Sequence, residues 1–109
     1  MGLNATGFAL ALDQLTDATD GINKIGLSLS DGTPPATQSL TWDAASGQIG
    51  SGTVESANTP ITFSMSANDY IDGIYLYNDT TQVAYIQITD VTDTNAFDYV
   101  VDSVTITMT

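Results

Sequence analysis

The chain is 109 residues long and sets one basic side chain, Lys24, against 13 carboxylates, with no histidine or cysteine and a formal charge of −12. Those absences exclude a cysteine nucleophile, an imidazole-based triad, a thiolate or imidazole metal site and an arginine phosphate clamp. The charge excludes affinity for nucleic acid or an anionic membrane, since both need clustered Lys and Arg.

The first good periodic segment is helical. Phe8, Leu12 and Leu15 fall at i, i+4 and i+7, with Ala5 extending the stripe, so residues 4–16 read as a short amphipathic helix. Asn4 has the chemistry of an N-cap, and Leu3 and Phe8 the spacing of a hydrophobic staple. Asp17 and Asp20 follow where the macrodipole disfavours negative charge, which ends the helix by about Asp17. A helix this short must dock on something. Leu10 lies off the stripe and is free to face the core or a neighbouring subunit.

After Asp20-Gly21 the period becomes two. Ile25, Leu27 and Leu29 alternate with small or polar residues, a half-buried strand closed by Asp31-Gly32-Thr33-Pro34-Pro35. Leu40-Thr41-Trp42 reads as a second, shorter strand. The Gly- and Ser-rich stretch 46–52 reads as a loop, with Val54-Glu55 a short edge strand after it. Ile61–Met65, Ile71–Tyr77, Val83–Ile88 and one long run from Tyr99 to Met108 complete the set, separated by turn clusters. The residues around 78–82 suggest a hairpin with a loop of four or five residues. Asp17-Ala18-Thr19-Asp20-Gly21-Ile22 and Asp69-Tyr70-Ile71-Asp72-Gly73-Ile74 share one pattern, read as two strand-entry turns of like chemistry.

The expected fold is therefore mainly β: a compact antiparallel β-sandwich or partly open barrel of six to seven strands with one short N-terminal helix. Its length fits a single domain, 1–109, with the helix within 1–17 and the sandwich over 22–109. A hydrophobic content of 42% suffices for a core. The helix would plug one end or cover an edge.

No basic region followed by an apolar run opens the chain, and no stretch has the length of a membrane span, so neither a secretory signal nor membrane association is expected. Met1–Thr6 fits the short myristoylation template, and Asn4-Ala5-Thr6 and Asn78-Asp79-Thr80 fit the glycosylation sequon. Templates this degenerate arise by chance in chains rich in Asn and Thr.

Three groups of side chains are candidates for function. The Asp pairs Asp17/Asp20, Asp69/Asp72 and Asp90/Asp93 could offer oxygen ligands to calcium, although none has the EF-hand spacing. Asp also opens turns by bonding its own backbone, which accounts for the same residues without a cation. Tyr75 and Tyr77 share a strand face and Tyr85 lies on the next strand, a row that would suit sugar or protein contacts if exposed, or core packing if not. Trp42 reads as a core or interface anchor, and the apolar tail Val104, Ile106 and Met108 as a strand able to pair with a neighbour's sheet edge. A nucleophilic Ser or Thr would need a base, and Lys24 in its strand is poorly placed for that, so no catalytic residue and no cofactor are expected.

The order of Met1–Gly7 and its helix, Ile25-Gly26-Leu27-Ser28-Leu29-Ser30 with Asp31-Gly32, Leu40-Thr41-Trp42-Asp43-Ala44-Ala45-Ser46-Gly47, Ile61-Thr62-Phe63 and Ile71–Asn78 resembles small virion proteins of tailed bacteriophages, of the minor tail, tail-fibre-like or head-decoration type. The pattern covers most of the chain. It departs from the family at Ser30 and Asp72-Gly73, where histidines are usual, and at Ser66-Ala67-Asn68, where a Val-Pro-Ala-Gly turn is usual. The resemblance implies a non-enzymatic accessory component of capsid, neck or tail, assembled in the host cytoplasm. Its partners would be other virion proteins and copies of itself in a trimer or ring. An acidic adhesin-like or carbohydrate-binding module is the alternative that the residues themselves leave open.

Overall fold

A computed structural model describes residues 3–109; Met1 and Gly2, with which the myristoylation template begins, lie outside the described residues. In chain order the elements are α1 (Ala5–Leu15), β1 (Lys24–Asp31), β2 (Gln38–Ser39), β3 (Ser46–Gln48), β4 (Ser51–Glu55), β5 (Ile61–Met65), β6 (Tyr70–Asn78), β7 (Thr81–Thr92), β8 (Phe97–Val101) and β9 (Thr105–Met108). The architecture is mainly β with one short helix, in antiparallel sheets of order β2-β1-β6-β7, β3-β4-β9 and β5-β8 packed as a sandwich. The expected fold class is the observed one. The strands beyond the expected six or seven come from short pieces the alternation did not reveal and from a break in the last run.

Helix α1 starts where the cap chemistry places it, the Asn4 side chain accepting the Gly7 amide at 2.9 Å. Thr16 closes it, its hydroxyl donating to the Leu12 carbonyl at 2.8 Å. Phe8 and Leu12 are buried, whereas Leu15, the third residue of the stripe, is 38% exposed, and Leu10 is 65% exposed, facing away from the core. Leu3 lies against Gly7.

The stretch 46–52, read from sequence as a loop, instead forms the β3–β4 hairpin, and β4 sits between β3 and β9 instead of at an edge. Glycine is depleted from strands because it leaves no side chain to pack. Here that lack is what the packing needs. A Cβ on Gly47 would collide with the Ala5 carbonyl, and one on Gly52 would stand 2.7 Å from Phe8 Cβ and 2.9 Å from Leu12 Cδ1. The bare backbone lets α1 lie on the face of the hairpin, so the helix covers a sheet face and plugs no end.

The main core is built from alternation. Ile25 and Leu27 of β1, Ile61, Phe63 and Met65 of β5, Ile71, Ile74 and Leu76 of β6, and Val101 of β8 pack into one cluster with Ile22, Leu40 and Val104. Phe63, Ile25 and Ile71 are almost wholly enclosed. Each such side chain contributes about 1.5–3 kcal/mol through its removal from water.

Four further boundaries differ from expectation. Leu40-Thr41-Trp42 is not a strand: Leu40 is a core residue after the short β2, and Trp42 makes an isolated bridge to Ser56. The long run Tyr99–Met108 breaks at Asp102-Ser103-Val104, so β8 pairs with β5 and β9 with β4. The β6–β7 hairpin closes through Asp79-Thr80 alone, with Asn78 opposite Thr81 and Asp79 at φ 54°. The two Asp-x-x-Asp-Gly-Ile segments also part company. The first is a turn, while Asp72-Gly73-Ile74 lies inside β6 at a break in register between Ile71 and Gly73.

Candidate functional site

The outward face of β6 and β7 gathers the tyrosines. Ile74 and Leu76 point into the core, which turns Tyr75 and Tyr77 to the opposite face, and Tyr85 of β7 is the register partner of Tyr75. The Tyr75 ring meets Tyr77 edge-on at 6.2 Å and Tyr85 at 5.3 Å with the planes tilted by 55°. Glycines on the neighbouring strands seat two of these rings. Tyr85 lies in the space above Gly73, and Tyr77 Cε2 is 3.0 Å from where a Cβ on Gly26 would stand. Tyr75 and Tyr77 are half-buried and Tyr85 is 49% exposed. The row is thus held rigidly, yet remains open to a partner.

Two carboxylates border the row. The Tyr85 hydroxyl donates to the Asp72 carbonyl at 3.1 Å, and the Tyr70 hydroxyl donates to Asp90 Oδ2 at 3.3 Å. Partial loss of hydration, then the charges of Asp72, Tyr75 and Asp90, hold the Tyr85 phenol above its ordinary value. Asp72 Oδ1 is enclosed with no hydrogen-bond partner among the described residues. An enclosed acceptor left unpaired costs about 1–3 kcal/mol. This combination of packed aromatic faces and negative charge favours cationic and apolar groups.

The Asp pairs considered for calcium are spread through the fold, and among the described residues no group of three or more His, Cys, Asp or Glu is placed to hold a metal ion. Asp17 Oδ1 accepts the amides of Thr19 and Asp20, bonds that lower its pKa. Asp69 is buried, with Oδ2 accepting the Ser66 amide at 2.8 Å, and Asp93 Oδ1 accepts the Asn95 amide at 2.9 Å. Each of these three carboxylates closes its own turn. Asp20 is exposed beside the first of them.

The other candidate contacts divide. Leu10 is exposed on α1, on the side turned away from the core. Trp42 is half-buried against the core, its Nε1 donating to the Ile22 carbonyl at 2.8 Å, so it anchors the chain internally. Val104, expected on an attachment arm, is a 5%-exposed core residue, tied to Ser56 through its amide and its carbonyl. Ile106 and Met108 are half-buried in β9, which pairs with β4 of its own chain and is no free arm. That pairing forms because the chain runs on through Asp102-Ser103-Val104 from its place beside β5 to one beside β4.

Sequence reasoning missed three features: the glycine seats under the tyrosines, the orphaned oxygen of Asp72, and Ile49, which is 94% exposed at the tip of the β3–β4 hairpin. A lone isoleucine in a Gly- and Ser-rich segment was the available signal for the last. Among the described residues no helix is long and apolar enough to cross a membrane. Comparison with protein-family models, with curated proteins and with solved structures finds no match for this chain.

Proposed function

We propose that this chain is a non-enzymatic structural component of a tailed-bacteriophage virion, an accessory protein of capsid, neck or tail that acts through protein–protein contacts. The observation that carries the reading is the rigid Tyr75–Tyr77–Tyr85 row bordered by Asp72 and Asp90 on an outward sheet face. Tyrosines supply large contact area at low entropic cost, and the carboxylates beside them favour a basic surface on the partner. The order of segments shared with small phage virion proteins supports the same setting. So does a composition without imidazole, thiol or guanidinium, which leaves surface complementarity as the means of action.

The test is to purify particles made by the phage that encodes the chain and to quantify the protein in them. The wild-type chain should co-purify at fixed stoichiometry, and Tyr75→Ser/Tyr85→Ser should lower its occupancy without unfolding it. Absence from the particles would refute the virion reading. The alternative, a glycan-binding adhesin-like module, draws on the same three exposed or half-exposed rings. It requires glycan-array binding that Tyr85→Ala abolishes.

A further inference from the structure

The sandwich stays open along one side. β7 ends one sheet and β9 ends another, and among the described residues neither has a strand beyond it. Between them runs a groove of about 430 Å³ whose walls include Leu15, Ile22, Val83, Ile86 and Ile106. Val83 is 51% exposed and Ile86 37%, although Ile86 stands opposite the core residue Ile74. Apolar side chains at an unpaired edge are a template for association.

The chain also carries a knob. Among the described residues Ile49 is the most exposed large hydrophobic side chain, at 94%. It sits in the turn joining β3 and β4 beside Gly50, whose φ is +87° and where a Cβ would meet nothing within 4 Å. A lone isoleucine held out in water gains about as much on burial as any core isoleucine would.

Charge selects the occupant. No charged side chain occurs in residues 44–54, which hold the hairpin, in 80–89 of β7, or in 103–109, and none lines the groove. In a molecule of charge −12 most copy-to-copy contacts would bring carboxylates together. The hairpin tip and the groove floor hold no carboxylate, and Asp20 stands at one end of the groove, beside Leu15, Ile22 and Val83. A basic partner would find no carboxylate in the groove walls to answer its charge.

We propose that the Ile49 hairpin tip of one copy seats in the β7–β9 groove of a second copy. Knob and hole lie on different parts of one chain, so the contact is head-to-tail and propagates into a closed ring or a filament. It is small, so it forms at high protein concentration. Salt should strengthen it, because screening removes the repulsion between carboxylates elsewhere and leaves an apolar contact intact. The proposal does not depend on the virion reading. A chain that self-associates but is missing from particles refutes that reading alone, and a monomeric chain found in particles refutes this one alone.

Sedimentation of the whole chain over a range of concentrations, in dilute buffer and in about 0.5 M NaCl, tests it. The wild type should form oligomers that grow with concentration and with salt. Ile49→Asp and Val83→Asp should each be monomeric with unchanged melting curves. An equimolar mixture of the two should stop at dimers, because one copy keeps the hole and the other the knob. As the native chain has no cysteine, Ile49→Cys mixed with Val83→Cys should also give a disulfide-linked pair on oxidation, which serves if an Asp variant fails to fold. A wild type monomeric throughout, association that survives Ile49→Asp, or a Cys mixture that links no better than Ile49→Cys alone would overturn the proposal.

Discussion

Tyr85 lies across Gly73, its ring atoms filling the space in which a side chain at position 73 would stand. The two residues sit on adjacent strands, and the ring covers a length of β6 that would otherwise be bare backbone. Aromatic cover of a strand glycine is one of the devices that pin register in twisted sheets. Gly73→Ala should therefore cost about 1–3 kcal/mol in urea unfolding, the usual range for overpacking. The double variant Gly73→Ala/Tyr85→Ala should lose less than the sum of the two single changes, since the alanine methyl then has room.

Asp72 Oδ1 is an enclosed acceptor with no donor among the described residues. Replacing a group whose enclosed oxygen has no donor removes a penalty of about 1–3 kcal/mol. Asp72→Ala should raise the melting temperature, and a fall on the same change would show that the oxygen has a partner in solution. The variant should also weaken retention on purified particles, by taking a charge from the border of the tyrosine row.

The tip of the β6–β7 hairpin is clamped to the segment before β1. Asn23 Nδ2 donates to Asp79 Oδ1 at 3.0 Å and Asn23 Oδ1 accepts the Asp79 amide at 2.8 Å, while Asn78 Nδ2 donates to the Gly21 carbonyl at 2.7 Å. Asn23→Ala breaks both bonds to Asp79 and should cost about 1–2 kcal/mol. Asp79→Gly keeps the positive φ without strain but loses one bond, so it should cost less. Equal losses in the two variants would show that the bond from the Asp79 amide contributes nothing.

Glycine 52 tests how the helix is held. Gly52→Val would drive a branched side chain into Phe8 and Leu12, lifting α1 from the β3–β4 hairpin. The expected outcome is a loss of about 1–3 kcal/mol, with faster amide exchange confined to residues 5–16 and the strands beneath. Exchange that speeds up equally in β5 and β8 would show that the helix and the main core unfold as one unit.

Stability should fall at both ends of the pH scale. The amides of Thr19 and Asp20 lower the pKa of Asp17, so its contribution is present above the ordinary value of 3.8 and is lost as pH falls through the lower folded value. Burial, and then the charge of Asp102, raise the pKa of Tyr99; hydration loss and neighbouring charge raise that of Tyr85. Their contribution is present below the ordinary value of 10.0 and is lost as pH rises through the folded values. Chemical denaturation across pH should show Asp17→Asn flattening the acid limb and Tyr99→Phe the alkaline one. Unchanged limbs would assign the pH dependence to other groups.

Where side-chain alternation was strong, the sequence was readable. The inward set Ile61, Phe63 and Met65 matches β5 residue for residue, and the placing of Tyr75 and Tyr77 on one face follows from the burial of Ile74 and Leu76. The N-cap at Asn4 was equally local: one side-chain oxygen and one amide three residues on. The tyrosine row could be named from spacing, but its glycine seats and its acidic border needed the register between β1, β6 and β7.

Composition alone decided which side chains are on offer, with no imidazole, thiol or guanidinium among them, and alternation decided which face inward, because both are properties of the chain read a few residues at a time. Tertiary structure alone decided that a Gly- and Ser-rich segment would be a hairpin, that the run from Tyr99 to Met108 would break between two sheets, and that one side of the sandwich would stay open. Strand pairing is settled by contacts between residues far apart in the chain. Gly47 and Gly52 leave room for α1, which lies on their strands, and Val104 is a core residue bonded to Ser56 from a distant part of the chain.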